Sequence, residues 1–569
     1  LALPLKILLQ QNSFTTSAEQ FKVIAANIGL TVSFMDRRSF LYKSVSVAGV
    51  ASAAQRGKKI PQLQAVPLSL EEISVSELSR QMSVGLMTSE SLCERYLQRI
   101  EDIDRKGPAL RAVIETNPDA LQIARTLDQE RKAKGPRGFL HGVPVLIKDN
   151  IDTGDKMQTT AGSLALVETP AAQDSFVAQQ LRGAGAVILG KTNLSEWANF
   201  RSTHSVSGWS GRGGQTRNPY ALDRNPCGSS SGTGAGISAN LAAVGVGSET
   251  DGSIVCPSSM CGLVGIKPTL GLISRAGIIP IAHSQDTAGP MARSVRDAAI
   301  LLGALTGIDP NDPATTASDG KFFKDYTRFL DAGGLRGARL GIARQYFTIS
   351  PRVTALMEQC VALMRKCGAV IIDPVTFTQL EPWSKTEQLV LLYEFKNDLN
   401  SYLAKRNARV KSLADCIQFN IENKNLEMPY FNQELMEQAQ AKGDLTQKEY
   451  LDALSLNIRT SRAEGIDAVI SQHQLDAIVG PTAGPAWMTD LVDGDHADGG
   501  CSSPAAVAGY PHITVPAGFD FGLPLGISFF GGAWTEPKLL RIAYAFEHAR
   551  QARRAPQFLP TANLTLEKL

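Results

Sequence analysis

Apolar positions along this chain fall into two alternating rhythms. Short continuous runs at 143–147, 186–190, 241–246, 338–342, 369–372, 477–479 and 513–515 read as strands. A strand with one wet face would alternate apolar and polar residues, so unbroken runs point to strands covered on both faces. Between them the spacing changes. Leu92, Cys93, Tyr96, Leu97, Ile100 and Ile103 recur on one helical face, with Ser89 or Ser91 available as a cap and Gly107-Pro108 as the stop. Further helical patterns cover about 118–132, 174–182 and 536–549. Strands alternating with helices predict one large α/β/α core, extending over about 69–555 and followed by a tail at 556–569. Residues from about 311 to 470 interrupt it with helical patterns at 387–403 and 447–463, rich in Gln, Asn, Lys and Glu. Such an excursion either shapes the mouth of a site on the rigid sheet or is a surface addition away from any ligand.

Composition narrows the class without identifying it. The 569 residues are 43% hydrophobic and 20% charged, as in a soluble globular protein with an ample core. A net charge of +2 gives no reason to expect nucleic acid or an anionic membrane as partner. Eight cysteines in so long a chain do not make a disulfide framework, and Cys256 and Cys261 read as small buried thiols. The seven histidines form no H-E-x-x-H or comparable cluster, so no metal is expected. Near the N-terminus, Met35 looks like a natural start, which would leave residues 1–34 outside the natural product. Arg37-Arg38, Phe40-Leu41, a short apolar run at 45–50 and Ala51-Ser52-Ala53 then read as a twin-arginine export signal over 35–53. That run is too short and too weakly apolar to span a membrane. A periplasmic or secreted protein follows from this reading, and a cytoplasmic one if the segment is not a signal.

The chemistry concentrates in 226–268. Pro226-Cys227-Gly228-Ser229-Ser230-Ser231-Gly232-Thr233-Gly234 and Ser248-Glu249-Thr250-Asp251-Gly252-Ser253-Ile254 are two Gly/Ser-rich loops on either side of an apolar segment. Successive backbone N–H groups in such loops can hold negative charge, which acyl transfer needs beside a hydroxyl nucleophile. A phosphate cradle fits poorly, because neither loop carries a Gly-Lys-Ser/Thr ending or a G-x-G-x-x-G after a strand. Gly228-Ser229-Ser230-Ser231-Gly232 formally matches a nucleophile elbow, but the turn-forming residues 218–226 precede it where an elbow needs a strand. The third reading adds Lys148, which closes the apolar run of Gly142-Val143-Pro144-Val145-Leu146-Ile147. Burial there favours its neutral, basic form.

With Lys148-Asp149-Asn150 after a strand, then G-S-S-S-G, then Gly252-Ser253-Ile254 and Gly262-Leu263-Val264-Gly265-Ile266-Lys267-Pro268-Thr269, the chain resembles the amidase signature family. That resemblance implies an α/β/α core with a mixed central sheet and a Ser-Ser-Lys catalytic set. Lys148 is then the base, Ser229 the bridging serine, held by a cis peptide bond, and Ser253 the nucleophile. The oxyanion would be held by the backbone N–H groups of Thr250, Asp251, Gly252 and Ser253. Ala198 and Asn199 fall on a stretch that borders the acyl pocket in the family, with simple packing as the other reading. His512 takes a packing role, and no cofactor is required. Asp251 and Val255 depart from the wider family, which favours glycine and arginine there, and the missing arginine weakens a reading as the amidotransferase component that works on aminoacylated tRNA. The implied activity is ammonia release from C-terminal peptide amides or related primary amides, sparing internal peptide bonds, by an enzyme that could act as a monomer on a small amide or peptide-amide substrate. A fatty-acid or aryl amide hydrolase is the alternative within the family, and a non-catalytic amide-binding or assembly subunit the alternative outside it.

Overall fold

The computed structural model describes residues 69–377 and 383–565, so the segment read as an export signal, the residues before it and the end of the tail lie outside the described residues. In chain order the strands are β1 (Val113–Thr116), β2 (Pro144–Lys148), β3 (Val187–Thr192), β4 (Trp209–Ser210), β5 (Gly214–Gln215), β6 (Val244–Glu249) and β7 (Val264–Lys267). They continue with β8 (Thr287–Ala292), β9 (Arg339–Ile342), β10 (Val370–Ile372), β11 (Ala477–Pro481), β12 (His512–Asp520) and β13 (Leu523–Phe530). Eleven of them form one sheet in the order β1-β3-β2-β6-β8-β7-β12-β13-β11-β9-β10, and β4 and β5 make a separate ribbon. The sheet is mixed. β3, β2 and β6 run parallel, β11, β9 and β10 run parallel, and the strands from β6 through β8, β7, β12 and β13 to β11 pair antiparallel.

All residues of β2, β3, β6, β7, β8, β11 and β13 are buried. Successive side chains of a strand point to opposite faces, so burial at every position means that helices and loops cover both faces. The α/β/α expectation holds on this ground. Helix ends follow local chemistry: Thr88 caps the helix Ser89–Arg99 in a reciprocal box with Ser91, and Ser350 caps Pro351–Lys366 with proline in the first turn. The first of these continues as a π-helical turn, Ile100–Lys106, before Gly107 ends it.

Two expectations need correction, and two central strands come as additions. The helical excursion is narrower than 311–470, because β9 and β10 lie inside that range and extend the sheet edge. Its helices run from Trp383 to His473. β7 and β8 are central strands that the apolar pattern did not reveal, since Val264-Gly265-Ile266-Lys267 and Thr287-Ala288-Gly289-Pro290-Met291-Ala292 are short and carry Gly or Pro. Cys256 is no free thiol. It is bonded to Cys227 with their Cα atoms 6.0 Å apart, whereas Cys261 is a buried free cysteine.

The excursion packs onto the core through apolar clusters, one of which borders the site. Leu392, Phe395, Leu399 and Leu403 of the long helix Trp383–Lys405 bury against Trp197, Phe200, Ile279 and Ile281, with the rings of Phe200 and Phe395 5.0 Å apart, edge to face. Burying one such aromatic side chain contributes roughly 2–3 kcal/mol. The helix is thereby held over the carboxyl ends of β2 and β6, where open α/β sheets place their ligands.

Candidate active site

Lys148 is the last residue of β2, and the parallel register that sets Ile147 opposite Val246 brings its side chain beside the end of β6. The side chain is fully buried. Its Nζ donates to Ser229 Oγ at 2.7 Å, to Ser248 Oγ at 2.9 Å and to the Ser248 carbonyl at 3.1 Å. Burial pushes the Lys148 amine down to about 7, against the charges of Asp286 and Glu249, which pull it the other way. Asn150 Nδ2 also donates to Ser248 Oγ, at 2.9 Å, so Ser248 locks the lysine from below.

Ser229 stands just ahead of the helix Ser231–Ser238, whose sequence Ser-Gly-Thr-Gly-Ala-Gly-Ile-Ser is a weak helix former on propensity alone. Small side chains serve another purpose here. At Gly232 an added Cβ would sit 2.3 Å from the Ala112 carbonyl oxygen and 2.5 Å from that of Asn193, so only glycine lets this helix lie so close to β1 and β3. The Gly228–Ser229 peptide is cis, and the Ser229 carbonyl accepts the Ser195 N–H at 3.1 Å. Ser230 is fully occupied elsewhere: its Oγ donates to the Ser248 carbonyl at 3.0 Å and accepts the Ser248 N–H at 3.2 Å. Among the described residues no strand runs directly into this loop, which removes the geometry an elbow requires.

Ser253 closes the turn after β6 and is 8% exposed. Its carbonyl accepts the Ser230 N–H at 3.1 Å, which ties the two serine loops together one residue from Ser229, and the Cys227–Cys256 disulfide joins the same loops on their far sides. The turn is shaped by Gly252 at φ +78°, a left-handed conformation that costs an L-residue energy. Glu249 holds its exit, accepting the N–H groups of Ile254 and Val255 at 2.6 and 3.0 Å. Among the described residues, the backbone N–H groups of Asp251, Gly252 and Ser253 carry no hydrogen bond within the protein. Adjacent unused donors at a glycine turn form an anion-binding concavity.

Ser229 and Ser248 open onto a cavity of about 270 Å³, with Asn150, Ala198 and Thr250 in its wall and Ile278, Ile279, Pro280 and Ile281 supplying apolar surface. Asp398, from the long excursion helix, lines it too, so that excursion does shape the mouth. Ala198 sits in a run of left-handed residues, Trp197, Ala198 and Asn199, while the Asn199 side chain is directed to Ser207 Oγ at 3.2 Å. His512 is buried in β12 beside Phe530, with its Nε2 paired to Ser528 Oγ at 2.5 Å. Burial first, and then the Lys267 charge, holds its imidazole down at about 3.

Two more lysines, Lys191 and Lys267, are as deeply buried, and burial lowers both to about 8. They differ from Lys148 in what they touch. Lys191 donates to the Ile151 carbonyl and Thr159 Oγ1, and Lys267 to the Pro268 carbonyl, so neither faces a serine of the loops. Among the described residues, one group could hold a metal ion: His283, Glu394 and Asp398. The His283 Nδ1 lies 2.8 Å from Asp398 Oδ2 and its Nε2 3.5 Å from Glu394 Oε1, an arrangement that spends the two ring nitrogens on separate carboxylates. Burial works against a charged imidazole there, and these two carboxylates outweigh it.

Sequence reasoning missed Ser248, Asn150, Glu249 and the disulfide. Asn150 stood in view beside Lys148, but Ser248 becomes a partner only through strand pairing across a hundred residues of chain.

Comparison with known proteins gives one consistent answer. Residues 91–540 match the family described as Amidase. A probable amidase of Arabidopsis thaliana is 44% identical over 501 residues, covering 86% of this chain and 92% of that protein. The solved native peptide amidase of Stenotrophomonas maltophilia is 50% identical, with a TM-score of 0.83 over 86% of this chain and 100% of that one. One subunit of the glutamyl-tRNA(Gln) amidotransferase of Thermoanaerobacter pseudethanolicus is 31% identical over 504 residues, 86% of this chain and 99% of its own. Among the described residues no helix is long and apolar enough to cross a membrane.

Proposed function

This chain belongs to the amidase family and is a hydrolase acting on amides, and from that premise we propose that it releases ammonia from the C-terminal amides of peptides or from related primary amides, through Ser253, Ser229 and Lys148. One observation carries the mechanism: a fully buried lysine with its amine at 2.7 Å from Ser229 Oγ and its basicity drawn down to about 7. A lysine so placed is neutral in about half of the molecules at pH 7 and in most of them a unit higher, and a neutral amine can take a proton. Likeness to a solved peptide amidase at 50% identity supports the substrate class.

In the proposed reaction Ser253 Oγ attacks the amide carbon while its proton passes to Ser229 Oγ and the Ser229 proton passes to Lys148 Nζ. Charge collects on the carbonyl oxygen, where the N–H groups of Thr250, Asp251, Gly252 and Ser253 receive it. The C–N bond then breaks as the proton returns through Ser229 to the leaving nitrogen, which departs as ammonia. An ester of Ser253 remains. Water attacks that ester, giving its proton to the same relay, and as the C–O bond to Ser253 breaks the relay returns that proton to Ser253 Oγ and the acid is released. Lys148 ends neutral, as it began.

Ammonia release from a short peptide amide, measured beside a long-chain fatty amide and a Ser253→Ala control, tests this reading. Release from the peptide amide that disappears in the control is the expected result. Release from the fatty amide alone would overturn the substrate class while keeping the chemistry, and undiminished release by Ser253→Ala would overturn the chemistry.

A further inference from the structure

The turn that carries Ser253 is braced from the far side by the excursion, at a place where two acids meet. Glu387 of the helix Trp383–Lys405 comes within hydrogen-bonding reach of Asp251. Gln285 clamps the pair to the turn, its Nε2 donating to Glu387 Oε1 at 2.8 Å and to the Thr250 carbonyl at 3.3 Å. Ser503 Oγ donates to Asp251 Oδ2 at 2.6 Å, leaving Asp251 Oδ1 buried with no hydrogen-bond donor among the described residues. A buried acceptor without a donor is costly, and the group beside it is a second carboxyl, which becomes a donor by keeping its proton.

We propose that Asp251 and Glu387 share one proton, and that this acid pair is a positioning device that holds the backbone N–H groups of the 250–253 turn in their working geometry. Two carboxyls in contact do not both ionise easily, because the second charge meets the first in a poorly solvated place. Burial, and then the Asp251 charge, push the Glu387 carboxyl up to about 8. Burial raises Asp251 as well, against the neighbouring serine hydroxyls and the Lys267 charge, which pull it the other way. The other titratable groups facing the pair are Glu249, itself raised by burial, and Tyr346 and Cys501, both pushed well above neutrality by burial. Up to about pH 8 Glu387 therefore keeps its proton and can bridge to Asp251. Above it the proton is lost, the two carboxylates repel, and the turn is pushed out of register.

This inference rests on the reading of 250–253 as the oxyanion turn, and the test separates the two. The measurement is the pH dependence of kcat for ammonia release by the full chain, compared between the wild type and Glu387→Gln, whose amide donates to Asp251 at every pH. The wild type is expected to lose kcat by about tenfold per unit above roughly pH 8, as one ionisation predicts, with KM little changed. Glu387→Gln should lack that alkaline fall while keeping the acid limb set by Lys148. Asp251→Asn, which removes the repelling partner, should lack it as well and serves if Glu387→Gln does not fold. An active enzyme with no alkaline fall in the wild type, or with the same fall in both variants, overturns the positioning role alone. A wild type that releases no ammonia from any amide overturns the proposed reaction and this inference with it.

Discussion

At the residue scale, several serines and lysines of similar burial divide the work unequally. Lys148, Lys191 and Lys267 are equally buried, and only the serine contacts of Lys148 set it apart. Its lowered basicity has a definite sign: as pH falls through about 7 the amine takes up a proton and can no longer accept one from Ser229. kcat/KM should therefore fall about tenfold per unit below that pH, read from initial rates across pH 5 to 8, roughly the span of one titration. Ser229→Ala and Lys148→Ala should each lose on the order of a thousandfold in kcat, the usual scale of acid–base assistance. Ser230→Ala should keep most of its activity and lose about 1 kcal/mol of stability, because its hydroxyl only bridges the N–H and C=O of Ser248. Lys148 is legible in the sequence because an apolar run that ends in lysine draws the amine out of water, where it needs polar partners close at hand. Ser248 is not, since it meets Lys148 only through the parallel register of β2 and β6, and neither is the Cys227–Cys256 bond, a single cross-link that cysteine counting does not detect.

At the scale of elements, the site is made by short pieces with poor intrinsic propensity. The helix Ser231–Ser238 and the strands β7 and β8 are rich in Gly, Ser or Pro, and tertiary packing holds them where local preference would not. That is also why periodicity located β2, β3, β9, β10 and β11 but passed over β7 and β8. Pro290 sits in β8 opposite Val246 of β6, in the middle of a sheet where proline is ordinarily excluded, so propensity alone would never place a strand there. The turn 250–253 shows the same dependence. Gly252→Ala would place a Cβ at 3.2 Å from Ser502 Oγ and force an L-residue to φ +78°, at a cost of about 1–2 kcal/mol. Displacing one oxyanion donor typically costs a hundredfold or more, so kcat for this variant should drop by at least about tenfold with KM nearly unchanged, while thermal unfolding should shift only a few degrees.

At the scale of the whole molecule, the sheet provides a rigid edge at which the carboxyl ends of β2 and β6 meet, and the excursion supplies the opposite wall. The two are fastened by the Phe200–Phe395 contact, by His283 between Glu394 and Asp398, and by the Gln285 clamp on Glu387. Chemistry and mouth thus come from segments far apart in the chain. The sheet and its order of strands and helices could be argued from apolar rhythm, whereas the wall of the cavity could not, because Ala198, Ile279 and Asp398 become neighbours only in the fold. The central claim is that one serine of the entire chain becomes acylated, and covalent labelling tests it most directly. Treating the intact enzyme with a fluorophosphonate that reacts with activated serines, then locating the adduct by peptide mass spectrometry, should place it on Ser253 and nowhere else, with labelling abolished in Lys148→Ala. An adduct on Ser230 or Ser229, or labelling of Ser253 that persists undiminished in Lys148→Ala, would contradict it.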